Sequence, residues 1–196
     1  MKIALFCFSG TGNTYFVADT LRKLLNEKNE CDLYSVERHL TDADAIIDRY
    51  DCIGLGYPTH GSSLPTIVFQ FIDGLAVHQK IAFTFCTQWL FSGDGAAYGA
   101  RQLAKKGFVV LWQEHFLMPN NITDLRILDH KKAYNYPKIR DSVQKRAQCF
   151  VQKIDAHREY RRGSNVFSLL DFGFEVRKFG KQYGGLQSVE APVHAE

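Results

Sequence analysis

Nothing in this sequence can cross a membrane as a helix, because no apolar run approaches the ~20 consecutive residues that a bilayer span requires. Cysteine is scarce and scattered, at positions 7, 31, 52, 86 and 149. An odd number at such wide spacing excludes a disulfide framework and a zinc ribbon. With no C-x2-C-x2-C run, an iron–sulfur cluster of that type is excluded as well. Four of the five cysteines lie in or beside apolar runs, where a free thiol behaves as a small hydrophobe; a reducing, cytoplasmic setting follows. The formal charge of +3 is spread along the chain and makes no basic block dense enough for nucleic acid. Met1-Lys2 runs straight into "IALFCF" with no small-residue cleavage site behind it, which predicts a first strand rather than a signal peptide.

What is present is an alternation of two periodicities. "KIALFCF" (2–8) is uniformly apolar, as a strand buried on both faces must be. Residues 13–28 place Phe16, Val17, Thr20, Leu21, Leu24 and Leu25 at helical spacing. "CDLYSV" (31–36) reads as a second strand, "DADAIIDRY" as a short acidic helix, and "DCIGLGYP" (51–58) as a third strand. A helix over 65–76 carries Pro65 in its first turn. "KIAFTFCT" (80–87) is a fourth strand, 95–106 a helix, "GFVVLWQEHF" (107–116) a fifth strand, and a last helix runs from Pro137 to about Tyr160. Strands alternating with helices predict an α/β fold, a doubly wound parallel sheet covered on both faces. The ligand loop directly after the first strand favours the order 2-1-3-4-5.

That loop is "SGTGNT" (9–14). It supplies three hydroxyls, an Asn amide and two glycines at the carboxyl edge of the sheet, and the helix after it adds a positive N-terminal dipole. Such a loop cradles phosphate. A Walker loop is excluded, since no lysine occurs from 3 to 22. The dinucleotide fingerprint fails where Tyr15 replaces its third glycine, and a Cys-x5-Arg phosphatase loop from Cys7 fails at Asn13. With neutral donors alone, the loop suits a monophosphate kept bound and not transferred.

"SGTGNT" resembles the FMN phosphate loop of the flavodoxin family, and the likeness in element order covers roughly residues 1–160. The resemblance implies that Ser9, Thr11, Asn13 and Thr14 hold the ribityl phosphate, with Gly10 and Gly12 giving backbone approach. It implies too that "GYPTHGSSLP" (56–65) and "CTQWLFSGDGA" (86–96) border the flavin ring. The ring-side candidates are Tyr57, Pro58, Thr59, His60, Gly61, Thr87, Gln88, Trp89, Phe91, Gly93 and Asp94. Trp89 is the first stacking candidate and Tyr57 or His60 the second, although Tyr57 could instead wedge the turn before Pro58. Asp94 either caps the following helix or meets the flavin N3 edge. Backbone groups of residues 59–61 and 87–93 would recognise the rest of the ring edge. With "MPNN" at 118–121, these loops look most like the flavodoxin half of bacterial flavodoxin/ferredoxin fusion proteins, the ferredoxin part being absent.

Two functions are compatible with that resemblance. One is an electron-transfer protein passing electrons between redox partners, including a separate iron–sulfur protein. The other is an FMN-dependent NAD(P)H or quinone reductase acting on a small acceptor. Neither needs a dedicated acid, base, nucleophile or metal ligand, and none is nominated. Residues 1–162 are expected to form the FMN-binding domain and 163–196 a C-terminal extension. The extension concentrates Val166, Phe167, Leu169, Leu170, Phe172, Phe174, Val176 and Phe179. This apolar surface could pack back on the domain, meet a membrane surface, or join two copies as a homodimer.

Overall fold

In the computed structural model, described over residues 1–59, 64–89, 95–119 and 134–162, the chain runs as β1 (Lys2–Cys7), α1 (Asn13–Leu25), β2 (Glu30–Ser35), a 3-10 turn (Val36–Arg38), α2 (Ala43–Ile47), β3 (Cys52–Pro58) and α3 (Thr66–Gly74). It continues through β4 (Ile81–Gln88), α4 (Gly95–Lys105), β5 (Val109–Leu117), α5 (Tyr136–Asp155) and β6 (Tyr160–Arg161). All strand pairs are parallel, in the order β2-β1-β3-β4-β5-β6. The order expected for five strands is therefore observed, with a sixth added at the edge.

Alternation along the strands divides the core into two layers. Ala4, Phe6, Ile53, Leu55, Ala82 and Cys86 face α2, α3 and α4, while Ile3, Leu5, Phe83, Phe85, Trp112 and Phe116 face α1 and α5. Side chains of consecutive residues leave a strand on opposite faces, so the uniformly apolar runs mark strands buried on both sides. Phe83 and Phe85 lie across β3 at Gly54 and Gly56, where any Cβ would collide with their rings. A bulge in β5 matches Ala82 with Val110 and Phe83 with Trp112, stepping over Leu111.

α5 ends earlier than its sequence pattern predicts. His157 adopts φ 50°, the one positive φ on a non-glycine among the described residues, and turns the chain back toward the sheet. Trp112 Nε1–H donates to Arg158 O at 2.9 Å, and Tyr160–Arg161 then pair with Trp112–Gln113 as β6. At the other end of the chain, Asn26 closes the α1–β2 turn by donating to Cys31 O (2.9 Å) and accepting from Cys31 N–H (2.8 Å). No helix among the described residues is long and apolar enough to cross a membrane. The expected extension, 163–196, lies outside the described residues.

Candidate functional site

Only residues 8–12 separate β1 from α1. Gly12 makes the reversal at φ +89°, in the left-handed region where a side chain is strained. The turn gathers donors. Ser9 Oγ accepts from both Gly12 N–H and Tyr15 N–H, each at 3.1 Å. One hydroxyl oxygen therefore sits where the first-turn N–H groups of α1 and its dipole converge, the position an anion oxygen would take. Open space surrounds the Cβ positions of Gly10 and Gly12, with nothing within 4 Å, and Thr11 is exposed at the loop tip.

Two residues expected to face the phosphate turn inward. Thr14 lies on the buried stripe of α1 with Val17, Ala18 and Leu21, so its side chain must enter the protein. There its hydroxyl bonds that of Thr87 at 2.8 Å, with both residues buried. Asn13 Nδ2 donates to Pro119 O at 3.1 Å and ties the loop to the segment after β5. The carbonyl of Thr87 in turn accepts from Thr59 N–H at 3.0 Å and from Thr59 Oγ1 at 3.3 Å. Thr87 thus joins the start of α1 to the ends of β3 and β4.

On the ring side, Pro58, Thr59 and Gln88 are half-buried and Trp89 is 37% exposed, so its indole is open to a stacking partner. Tyr57 is a correction. Its ring is fully buried in the α4-side layer, where the strand alternation sends it, and it has no face left for a flavin. Its hydroxyl instead donates to Gly95 O at 2.8 Å and accepts from Gly99 N–H at 3.2 Å. Thr84 donates to Ala96 O at 2.9 Å and His115 Nε2 accepts from Ala96 N–H at 3.4 Å. Side chains from β3, β4 and β5 therefore clamp the first turn of α4, where the loop after β4 ends. His60, Gly61, Phe91, Gly93 and Asp94 lie outside the described residues, as do Asn120 and Asn121 of "MPNN".

No family model matches the chain, and no curated protein sequence matches it either. Solved structures do. The crystal structure of oxidised flavodoxin 1 from Bacillus cereus superposes with a TM-score of 0.57 at 21% identity, over 80% of this chain and 99% of that one. The fold is that of the flavodoxins. An archaeal flavodoxin matches with a TM-score of 0.52 at 13% identity, over 79% of this chain and 99% of its own. A protein described as flavone reductase matches with a TM-score of 0.56 at 13% identity, over 82% of this chain and 66% of its own.

Within this flavodoxin fold, the loop has open space on its β2 side. A cavity of about 800 Å³ is lined there by Ser9, Gly12, Tyr15, Arg22, Tyr34 and Arg38, among others. Cys7 borders the same cavity, but burial, aided by the charge of Glu37, pushes its thiol up to about 12. It is inert as a nucleophile at neutral pH. Among the described residues, no cluster of His, Cys, Asp and Glu is placed to hold a metal ion.

Sequence reasoning passed over three buried polar residues inside the apolar run of β5: Gln113, Glu114 and His115. Glu114 Oε1 accepts from its neighbour's N–H (2.7 Å), Arg162 Nη1 (3.2 Å) and Arg146 Nη1 (3.4 Å). Burial is the largest influence on this carboxyl and raises its pKa, against the opposing charge of Arg146. His115 is pushed down to about 4, first by burial and then by the charge of Arg146. The signal for both was the strand period itself, which puts 114 and 115 inside on opposite faces.

Two outcomes follow from these contacts. Removing one hydroxyl of the Thr14–Thr87 pair strands the other, so Thr14→Val and Thr87→Val should each cost ~1–2 kcal/mol, while the double variant costs clearly less than their sum. Urea unfolding of the four proteins measures this, and additive losses would show that the pair is not coupled. His115 has a folded pKa below its ordinary 6.5, so the unfolded chain binds the extra proton first. Its stabilisation is complete above about 6.5 and falls away toward about 4, by up to ~3 kcal/mol. His115→Gln, which keeps an acceptor for Ala96 N–H, should flatten that part of the stability–pH curve. An unchanged slope would assign the acid loss to other groups.

Proposed function

We propose that this chain binds FMN and passes electrons between redox partners. The observation that carries the proposal is the convergence of the Gly12 and Tyr15 N–H groups on one oxygen, Ser9 Oγ, in a loop with no cation. A dianionic phosphate fits such a site through charge-assisted bonds to backbone N–H groups. Ser9, Thr11 and the N–H groups of residues 12–15 would hold it, with Gly10 and Gly12 leaving room for its approach. Asn13 and Thr14 hold the loop in place from behind, the use their side chains have here. Trp89 would lie against the ring, and the backbone of Thr59, Thr87 and Gln88 would meet its edge. His60, Gly61, Phe91, Gly93 and Asp94 would complete the ring side.

When bound, FMN supplies one- and two-electron redox chemistry, which the protein tunes through contacts and nearby charge. The loop's lack of Lys and Arg withholds positive charge from the ring. The second reading is a reductase acting on a small acceptor. The open cavity beside the loop supports it, since a small molecule could enter there. Cys7, Cys31, Cys52 and Cys86 are buried and form no disulfide, which suits a reducing cytoplasm. Residues 163–196 would serve as a separate extension through which two copies associate.

The protein should purify with, or take up, one FMN per chain. Mass spectrometry of the released cofactor tests this, and recovery of FAD, or no uptake at saturating FMN, would overturn it. Thr11→Asp places a carboxylate beside the phosphate and should weaken FMN binding by ~3 kcal/mol while leaving riboflavin binding nearly unchanged. Equal losses for both ligands would move the phosphate site elsewhere. Light scattering on the full chain at high micromolar concentration should report a dimer, and a monomer mass rejects association through the extension.

A further inference from the structure

Among the described residues, one buried side-chain polar atom has no hydrogen-bond partner: Oε1 of Gln88. Folded proteins seldom leave such an acceptor bare, and each exception calls for a cause. Its position suggests one. Gln88 is the last residue of β4, one place after Thr87 and one before Trp89. Its own carbonyl accepts Met118 N–H at 2.7 Å, which fixes the strand end against β5. Thr87 sends its side chain toward Thr14 on α1, so strand alternation sends the Gln88 amide to the opposite face, the side of α3 and α4, at the carboxyl end of β4.

We propose that Gln88 reads the pyrimidine edge of the flavin, its Oε1 accepting the ring N3–H. This rests on the reading of the chain as an FMN-binding protein. An amide oxygen can only accept, so the missing partner must be a donor. The oxidised isoalloxazine carries a single N–H, at N3, flanked by two carbonyl oxygens. A carboxamide complements that edge twice, its oxygen accepting from N3–H while its NH₂ donates to a flanking carbonyl. The residue is a specificity determinant, and it leaves the ligand-free protein with a buried acceptor that only the ligand satisfies.

Full-length wild type and Gln88→Leu are titrated with FMN and with N3-methyl-FMN, following flavin fluorescence, and the ligand-free proteins are unfolded in urea. Wild type should bind FMN at least about tenfold more tightly than the methylated analogue. Gln88→Leu should bind FMN about tenfold more weakly than wild type and treat the two flavins alike, within about threefold. Ligand-free Gln88→Leu should unfold at a higher urea concentration, since the bare acceptor is gone. Gln88→Glu, which keeps an acceptor, should retain the preference for FMN over the analogue. Wild type binding both flavins alike, or Gln88→Leu keeping the full discrimination, overturns the assignment while leaving the flavin reading intact. Wild type binding neither overturns the flavin reading and this assignment with it.

Discussion

The hydroxyl of Thr87 holds the site together. It meets Thr14 inside the protein at 2.8 Å, and the carbonyl of the same residue receives two donors from Thr59. One residue at the end of β4 thereby ties the start of α1 and the end of β3 to its own strand. Doubly wound sheets bind ligands where the loops from such ends diverge, and divergence alone would leave each loop free to move. The cross-links lie in a buried, low-dielectric setting, where an unmade hydrogen bond is expensive. The start of α1 and the ends of β3 and β4, from which these loops depart, are therefore tied to one another within the protein itself.

A second fastening works on the far side of the same site. Tyr57, Thr84 and His115 come from three adjacent strands, and all address backbone groups of residues 95–99. The loop after β4 is thus held at both ends, by Thr87 where it leaves the sheet and by this clamp where it enters α4. His115 accepts from Ala96 N–H as a neutral imidazole with its proton on Nδ1, and burial keeps the ring neutral at neutral pH.

The fold was largely legible because its strands are buried on both faces, and continuous apolar runs separated by amphipathic helices leave few arrangements. β6 was not legible. Two residues have no period, and Tyr160–Arg161 pair with β5 only because His157 reverses the chain. In the site, the loop chemistry of residues 9–14 could be read from composition, but the direction of each side chain could not. Thr14 looked like a phosphate ligand because hydroxyls cluster there, although its spacing from Val17, Ala18 and Leu21 already marked it as inward. Tyr57 looked like a ring partner because it stands before Pro58 at a strand end, yet the alternation of β3 commits it to the core. Glu114 and His115 were hidden by the apolar company they keep, and their partners, Arg146 and Arg162 among them, are remote in sequence.

The division of the core into two layers has a consequence for how the chain is made. The layer over α2, α3 and α4 uses buried residues from Ala4 to Val110 and can close once β5 has begun. The opposite layer needs Val143, Ala147, Phe150, Val151 and Ile154 of α5 to cover Phe83, Phe85, Trp112 and Phe116. Asn29, in the turn between α1 and β2, waits still longer for Asp155, which it meets at 2.8 Å. On a ribosome, one face of the sheet stays partly bare until α5 has emerged. Chain shortening before residue 155 should therefore yield a sticky, chaperone-dependent product rather than a smaller stable domain.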